Sequence, residues 1–147
     1  MNYLIREMTI DDINDIILGE EKAFGESLGY DMLYSELSLN PYAYYFVLEI
    51  DEEVKGYIGT WIEQDRAEIV NFYVDEDYQG LGFGSMMLDF FVALCEETNV
   101  PNISLEVRES NVKAQKLYEK FGFEFSHRRV QYYKNSEDAL VLIKKMR

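Results

Sequence analysis

Between Asp75 and Ser85 the chain reads Asp-Glu-Asp-Tyr-Gln-Gly-Leu-Gly-Phe-Gly-Ser, with glycine at 80, 82 and 84. The glycines leave backbone amides bare just where an amphipathic helical pattern begins. Such amides point along the helix axis with the positive end of its dipole, so Gln79, Gly80, Leu81, Gly82, Phe83, Gly84 and Ser85 suit a phosphate. Two further side chains have types that carry protons. Glu106 sits in the mostly apolar strand Ile103 to Val107, on the face of Ser104, and Tyr118 shares a helical face with Asn111, Ala114, Leu117 and Phe121. A carboxylate inside such a strand is either a solvated outer face or a base. A tyrosine on such a stripe is either core or a proton donor.

Spacing separates the kinds of phosphate binder. A dinucleotide fold asks for G-x-G-x-x-G, but from Gly80 the third glycine arrives one position early, at Gly84, and residue 85 is serine. A nucleotide P-loop asks for Gly-Lys-Ser/Thr, and no lysine lies between Gly56 and Glu109. The spacing that fits is Q-x-x-G-x-G, met by Gln79, Gly82 and Gly84.

Other reactive residue types find plainer readings. Cys95 belongs to the stripe Leu88, Phe91, Val92 and Cys95 and reads as core, with nothing nearby to depress its pKa. His127, the single histidine, has no cysteine or carboxylate cluster at metal spacing, so no metal is expected. Lys113, Lys116 and Lys120 form either a solvated face or an approach to a cofactor phosphate. Tyr42, Tyr44 and Tyr45 read as strand and core-edge aromatics.

The elements that must position these residues follow from pattern. Leu4 and Ile5 suggest a short strand, and Thr9 with Asp12 begins a helix whose isoleucines 10, 13, 16 and 17 carry it to about Glu21. Tyr30 to Leu39 is a second helix, stopped at Asn40-Pro41. Tyr44 to Ile50 and Val54 to Ile62 form a hairpin around Asp51-Glu52-Glu53, and Arg66 to Val74 is the next strand. A helix from about Gly82 to Thr98 crosses to the strand Ile103 to Val107, which makes these two strands parallel in an otherwise antiparallel sheet. Ser110 or Asn111 caps a further helix ending at Gly122, and Phe123 to Tyr133 with Ala139 to Lys145 closes as a hairpin.

At 147 residues, with 48% hydrophobic and 29% charged side chains, the chain fits one domain spanning 1–147. The net charge of −14 is uneven: residues 1–100 hold 4 basic and 22 acidic side chains, residues 101–147 hold 10 and 6. That asymmetry is either solubility or a bipolar protein drawing a cationic substrate to its acidic part and an anionic cofactor to its basic part. Nucleic acid is not an expected partner for so acidic a chain. With one cysteine, no signal-peptide pattern and no apolar run near the ~20 residues of a membrane span, a cytoplasmic protein away from membranes is expected.

With both motifs in view, the chain resembles the GNAT acyltransferase superfamily. The glycine bend matches the loop that holds the acetyl-CoA pyrophosphate there, and Asn111-Val-Lys-Ala114-Gln-Lys-Leu117-Tyr118-Glu-Lys-Phe121-Gly122-Phe123 matches its second cofactor motif. It is most similar to the bacterial ribosomal-protein alanine N-acetyltransferases, through Val74-Asp75-x-Asp77-Tyr78-Gln79, Leu105-Glu106-Val107-Arg108-x-Ser110-Asn111, Arg129-x-x-Tyr132-Tyr133 and Glu137-Asp138-Ala139. It departs between the first two helices, where that family commonly carries Pro-Trp and this chain has Phe24-Gly25-Glu26-Ser27-Leu28-Gly29.

The resemblance implies an α/β fold of α+β type: a mostly antiparallel sheet with one parallel pair, flanked by about four helices. It implies transfer of the acetyl group of acetyl-CoA by direct attack of a primary amine, with no metal. The acceptor it points to is a protein N-terminus, on a basic and ribosomal target; a small amine, a lysine side chain or a non-catalytic acetyl-CoA-binding role are the alternatives. Glu106 then matches the base, Tyr118 the acid for the departing thiolate, and Asn111 with Tyr118 contacts to CoA. The strand Phe72-Tyr73-Val74 splays from its neighbour to pair with the pantetheine arm and to meet the oxyanion with a backbone amide. Tyr132 and Tyr133 would line a peptide groove. A monomer or weak homodimer is expected.

Overall fold

β-Branched and aromatic residues dominate the three strands between residues 43 and 74, and short polar turns separate them. In the computed structural model, which describes residues 1–133 and 135–146, seven strands form one sheet in the order β1-β2-β3-β4-β5-β7-β6. They are β1 (Tyr3–Glu7), β2 (Ala43–Ile50), β3 (Glu53–Ile62), β4 (Ala67–Val74), β5 (Asn102–Arg108), β6 (Glu124–Arg129) and β7 (Ala139–Lys145). The helices are α1 (Ile13–Phe24), α2 (Tyr30–Leu39), α3 (Phe83–Glu97) and α4 (Val112–Lys120), with 3-10 turns at Ile10–Asp12 and Glu76–Tyr78. β4 and β5 are parallel, while β1–β2, β2–β3, β5–β7 and β6–β7 are antiparallel. The mixed sheet and four helices match the expected fold class. The first helix outruns its expected end at Glu21 and reaches Phe24, where Gly25 turns left-handed at φ 78°.

The chain gathers into two compact units. The first comprises Met1–Trp61 and Asn71–Leu88. Its core is Met8, Ile13, Ile16, Leu33, Tyr45, Val47, Tyr57 and Tyr73, so large aromatics fill much of it. The start of α1 is fastened by Asp12, whose carboxylate accepts from the Thr9 amide at 2.8 Å and takes both Nη1 and Nη2 of Arg6 at 2.8 and 2.9 Å. Burial works against the Asp12 charge, but this fork and the Thr9 bonds outweigh it and hold the carboxyl below its ordinary range. Gly19 lets α1 approach β4: a Cβ there would lie 1.8 Å from the Tyr73 hydroxyl oxygen and 2.2 Å from Cζ.

The second unit comprises Ile62–Val70 and Asp89–Arg147. The α3 residues Phe91, Val92 and Cys95 are buried, as are Ile103, Leu105 and Val107 of β5. Burial pushes the Cys95 thiol up to about 12, which agrees with a core residue and disfavours the thiolate. Ser104 and Glu106 take the opposite face of β5. The parallel ladder pairs Ala67, Glu68 and Ile69 with Ile103, Ser104 and Leu105 and, among the described residues, extends no further.

Candidate active site

The bend is built from backbone first. Asp75 starts it, its Oδ1 accepting from the Asp77 amide at 3.0 Å and its carbonyl from the Tyr78 amide at 2.8 Å. The acidic triplet therefore closes a 3-10 turn. Gln79 folds back and donates from Nε2 to the Val74 carbonyl at 2.9 Å, which ties the bend to the end of β4. Gly80 and Gly82 have φ of 78° and 90°, and a Cβ at either would meet nothing within 4 Å. These glycines serve the backbone's left-handed turns while leaving open space beside it. Phe83 anchors the start of α3, buried edge-on against Tyr3 with ring centroids 5.2 Å apart, while Leu81 is exposed. The Gly82 carbonyl accepts from the Met86 amide at 3.0 Å, the first helical bond, so the amides of Phe83, Gly84 and Ser85 have no intrahelical carbonyl. An anion is the natural partner for such a set.

In the same unit, Tyr73 and Val74 of β4 are buried and Phe72 is partly buried. Of the three amides in Phe72-Tyr73-Val74, that of Phe72 already donates to Asn71 Oδ1 at 3.1 Å. Meeting the oxyanion with the Phe72 amide would require that bond to open.

In the second unit, Glu106 has company the sequence did not disclose. Its Oε1 lies 3.1 Å from Arg129 Nε, and its side chain keeps 25% exposure. Arg129 in turn lies over the Tyr132 ring at 5.3 Å, and Tyr132 and Tyr133 meet edge to face at 5.2 Å. The Tyr132 hydroxyl is raised by burial and by its hydrogen bond to Glu106; Tyr133 is pushed up to about 12 by burial and by the Glu106 charge. Glu68 of β4, paired with Ser104, shares the Glu106 face; burial first, then Glu106, pushes its carboxyl up. The segment between β6 and β7 is stapled by two carboxylates. Glu137 Oε2 accepts from the Ser110 amide at 2.6 Å, and Asp138 takes Arg128 and the Gln131 amide, both at 2.9 Å.

Asn111 caps α4, its Oδ1 accepting from the Ala114 amide at 3.1 Å. One lone pair of that oxygen is committed to the helix, and Nδ2 is the side-chain group able to donate to a cofactor. Gln115, which the pattern reading passed over, donates from Nε2 to the carbonyls of Arg108 and Glu109 at 3.2 and 2.9 Å and binds α4 to the end of β5. Tyr118 is buried, edge-on to Phe123 at 5.6 Å, and burial, then Tyr133, raises its hydroxyl well above the ordinary value. It therefore stays protonated and able to donate. Lys113, Lys116 and Lys120 lie exposed on α4. His127 is exposed beside the Ser126 hydroxyl, and no three metal-ligating side chains cluster among the described residues.

Comparison with known proteins agrees with this architecture. The family model of the Acetyltransferase (GNAT) family matches residues 10–123. A putative [ribosomal protein bS18]-alanine N-acetyltransferase of Bacillus subtilis is 40% identical over 139 residues, 94% of this chain and 92% of that protein. The [ribosomal protein bS18]-alanine N-acetyltransferase of Escherichia coli K12 is 32% identical over 125 residues, 83% and 77% of the two chains. The crystal structure of the Escherichia coli ribosomal-protein-S18-alanine N-acetyltransferase superposes with a TM-score of 0.89 at 26% identity, over 99% of this chain and 94% of that one. Ard1 from Thermoplasma volcanium does so at 0.89 and 27%, over 99% and 98%. With fold, glycine bend and sequence relatives in agreement, the chain belongs to the GNAT family of acetyltransferases.

Proposed function

We propose that this enzyme moves the acetyl group of acetyl-CoA to the N-terminal α-amine of a protein that begins with alanine, a ribosomal protein or another basic chain. The observation that carries the chemistry is Glu106, a carboxylate held by Arg129 yet still open to solvent. The acceptor rests on the relatives of 40% and 32% identity, which act on a ribosomal alanine by their names.

The amine nitrogen attacks the thioester carbonyl carbon, and its electron pair forms the new C–N bond while the carbonyl π pair moves to oxygen. Glu106 takes the proton the amine must lose, directly or through water. The oxyanion collapses, the C–S bond breaks, and the Tyr118 hydroxyl gives its proton to the thiolate. Backbone amide of Phe72-Tyr73-Val74 serves the oxyanion, and the bend from Gln79 to Ser85 takes the pyrophosphate. An α-amine of pKa near 8 is about one-tenth neutral at pH 7, whereas a lysine near 10.4 is below about one in a thousand. An α-amine therefore asks less of its base, by roughly 3 kcal/mol. The many carboxylates of residues 1–100 favour a basic target.

Acetyl-CoA turnover with an alanine-starting basic peptide, set against spermidine and free lysine, tests this reading. The peptide is expected to react and the small amines to lag far behind; reaction of the small amines alone overturns it.

A further inference from the structure

Outside the groups assigned so far, the first unit holds a carboxylate with no exposure at all. Glu20 is 0% exposed, on α1, and four donors converge on it. The Ser27 hydroxyl and the Leu28 amide reach Oε1 at 2.7 and 3.2 Å. The Tyr57 hydroxyl of β3 and Asn71 Nδ2 of β4 reach Oε2, the latter at 2.6 Å. No lysine or arginine is among these partners. A carboxyl group removed from water this completely has its hydrogen-bonding capacity met inside the protein, two bonds to each oxygen.

The donors come from three elements, and they add a polar link to shared packing, since Leu28 also lies against the core cluster that includes Tyr57 and Tyr73. Ser27 and Leu28 lie in the five-residue connection from Gly25 to Gly29, whose end glycines are left-handed at φ 78° and 90°. The Gly29 amide also returns to Ser27 Oγ at 3.0 Å, so the connection is organised around that hydroxyl. Asn71 stands at the other side, and its Oδ1 holds the Phe72 amide at 3.1 Å. An unbroken line of hydrogen bonds therefore runs from the α1–α2 connection through Glu20 and Asn71 to the Phe72 amide. One residue back, Gly19 admits the Tyr73 ring, so helix and strand also meet sterically at the same level.

We propose that Glu20 is a positioning residue that couples the α1–α2 connection to the Phe72 end of β4, so that a change at Ser27 or Leu28 alters how the Phe72 amide is held. Under the function proposed above, Phe72 belongs to the strand that presents the thioester. The coupling then sets kcat rather than acetyl-CoA binding.

Glu20→Gln is the direct test, because a carboxamide has one oxygen. Its NH2 must face either the Leu28 amide or Asn71 Nδ2, donor against donor, and one limb opens, although the Ser27 and Tyr57 hydroxyls can turn to accept. In the unliganded protein, hydrogen exchange at the Leu28 and Phe72 amides should accelerate together, by roughly tenfold. With peptide and acetyl-CoA, kcat should fall about tenfold while the KM for acetyl-CoA stays within about twofold. Ser27→Ala opens only the far limb and gives the decisive arm should the first variant fold poorly: Phe72 exchange should still rise by roughly threefold. Glu36→Gln is the control, a buried carboxylate on α2 that takes Trp61 Nε1 at 2.5 Å and Asn40 at 3.2 Å, with no hydrogen bond to β4 among the described residues. It should lower the melting temperature and leave kcat unchanged. Phe72 exchange at the wild-type rate in both Glu20→Gln and Ser27→Ala overturns the coupling, as does a kcat loss in Glu36→Gln equal to that in Glu20→Gln. A wild-type protein that acetylates no N-terminus would overturn the proposed function and leave the exchange result standing.

Discussion

Glu20 and Glu106 are both glutamates withdrawn from bulk water, and their surroundings oppose each other in kind. Glu20 has no exposure, and its two oxygens accept four bonds from neutral donors. Glu106 keeps a quarter of its side-chain surface open and leans on one cation, Arg129, with the Tyr132 hydroxyl beside it. A carboxylate whose lone pairs are all engaged can hold structure but has no room to take a proton from a substrate. One that is fixed on one flank and open on the other can. The number of lone pairs left over, more than burial itself, separates a positioning carboxylate from the proposed base.

Substitutions can break or sharpen that contrast. Glu106→Gln should cost the most, about a hundredfold or more in kcat at neutral pH, with CoA affinity kept; an unchanged rate in a steady-state assay removes Glu106 as base and the contrast with it. Tyr118→Phe should slow transfer by about tenfold without unfolding, read by turnover and thermal melting. The raised Tyr118 hydroxyl gives a pH signature: the proton persists above the usual phenol range, so the wild-type rate should climb as the α-amine loses its proton and show no alkaline fall by pH 10. Gly82→Ala places a methyl in open space on a left-handed residue, at about 1 kcal/mol in backbone strain, so a loss of CoA affinity beyond that in calorimetry marks the space as the ligand's. Glu68→Gln should give the smallest effect. Its carboxyl is raised on folding, so ionisation costs stability that is lost as pH rises from the ordinary carboxylate range through the raised value. The variant should melt higher than wild type at pH 7, and the difference should vanish near pH 3.

The parts of this molecule legible in its sequence are those whose determinants are local. Strands, helices and the glycine bend are written in runs of neighbours, and the stripe Leu88, Phe91, Val92 and Cys95 is buried as its period requires. The Glu20 node escaped because its donors come from the α1–α2 connection, β3 and β4, far apart along the chain. One signal was available: Glu20 follows Ile13, Ile16 and Ile17 at i+7 on the apolar face of α1, where a carboxylate must find buried partners. Arg129 beside Glu106 depends on β7 lying between β5 and β6, a register that pattern alone does not supply. A helix cap at Ser110 or Asn111 was legible, and the structure gives it to Asn111, whose Oδ1 accepts from the Ala114 amide.

The notch at Gly19 has a consequence for how this chain can drift. A Cβ there would lie 1.8 Å from the Tyr73 oxygen, 2.2 Å from Cζ and 2.7 Å from Cε1, so trimming the hydroxyl alone relieves too little. Positions 19 and 73 are therefore bound as a pair: a side chain can enter at 19 only where the ring at 73 has given way to something short. Homologous chains should trade volume between the two positions, and a library randomised at 19 alone should return glycine.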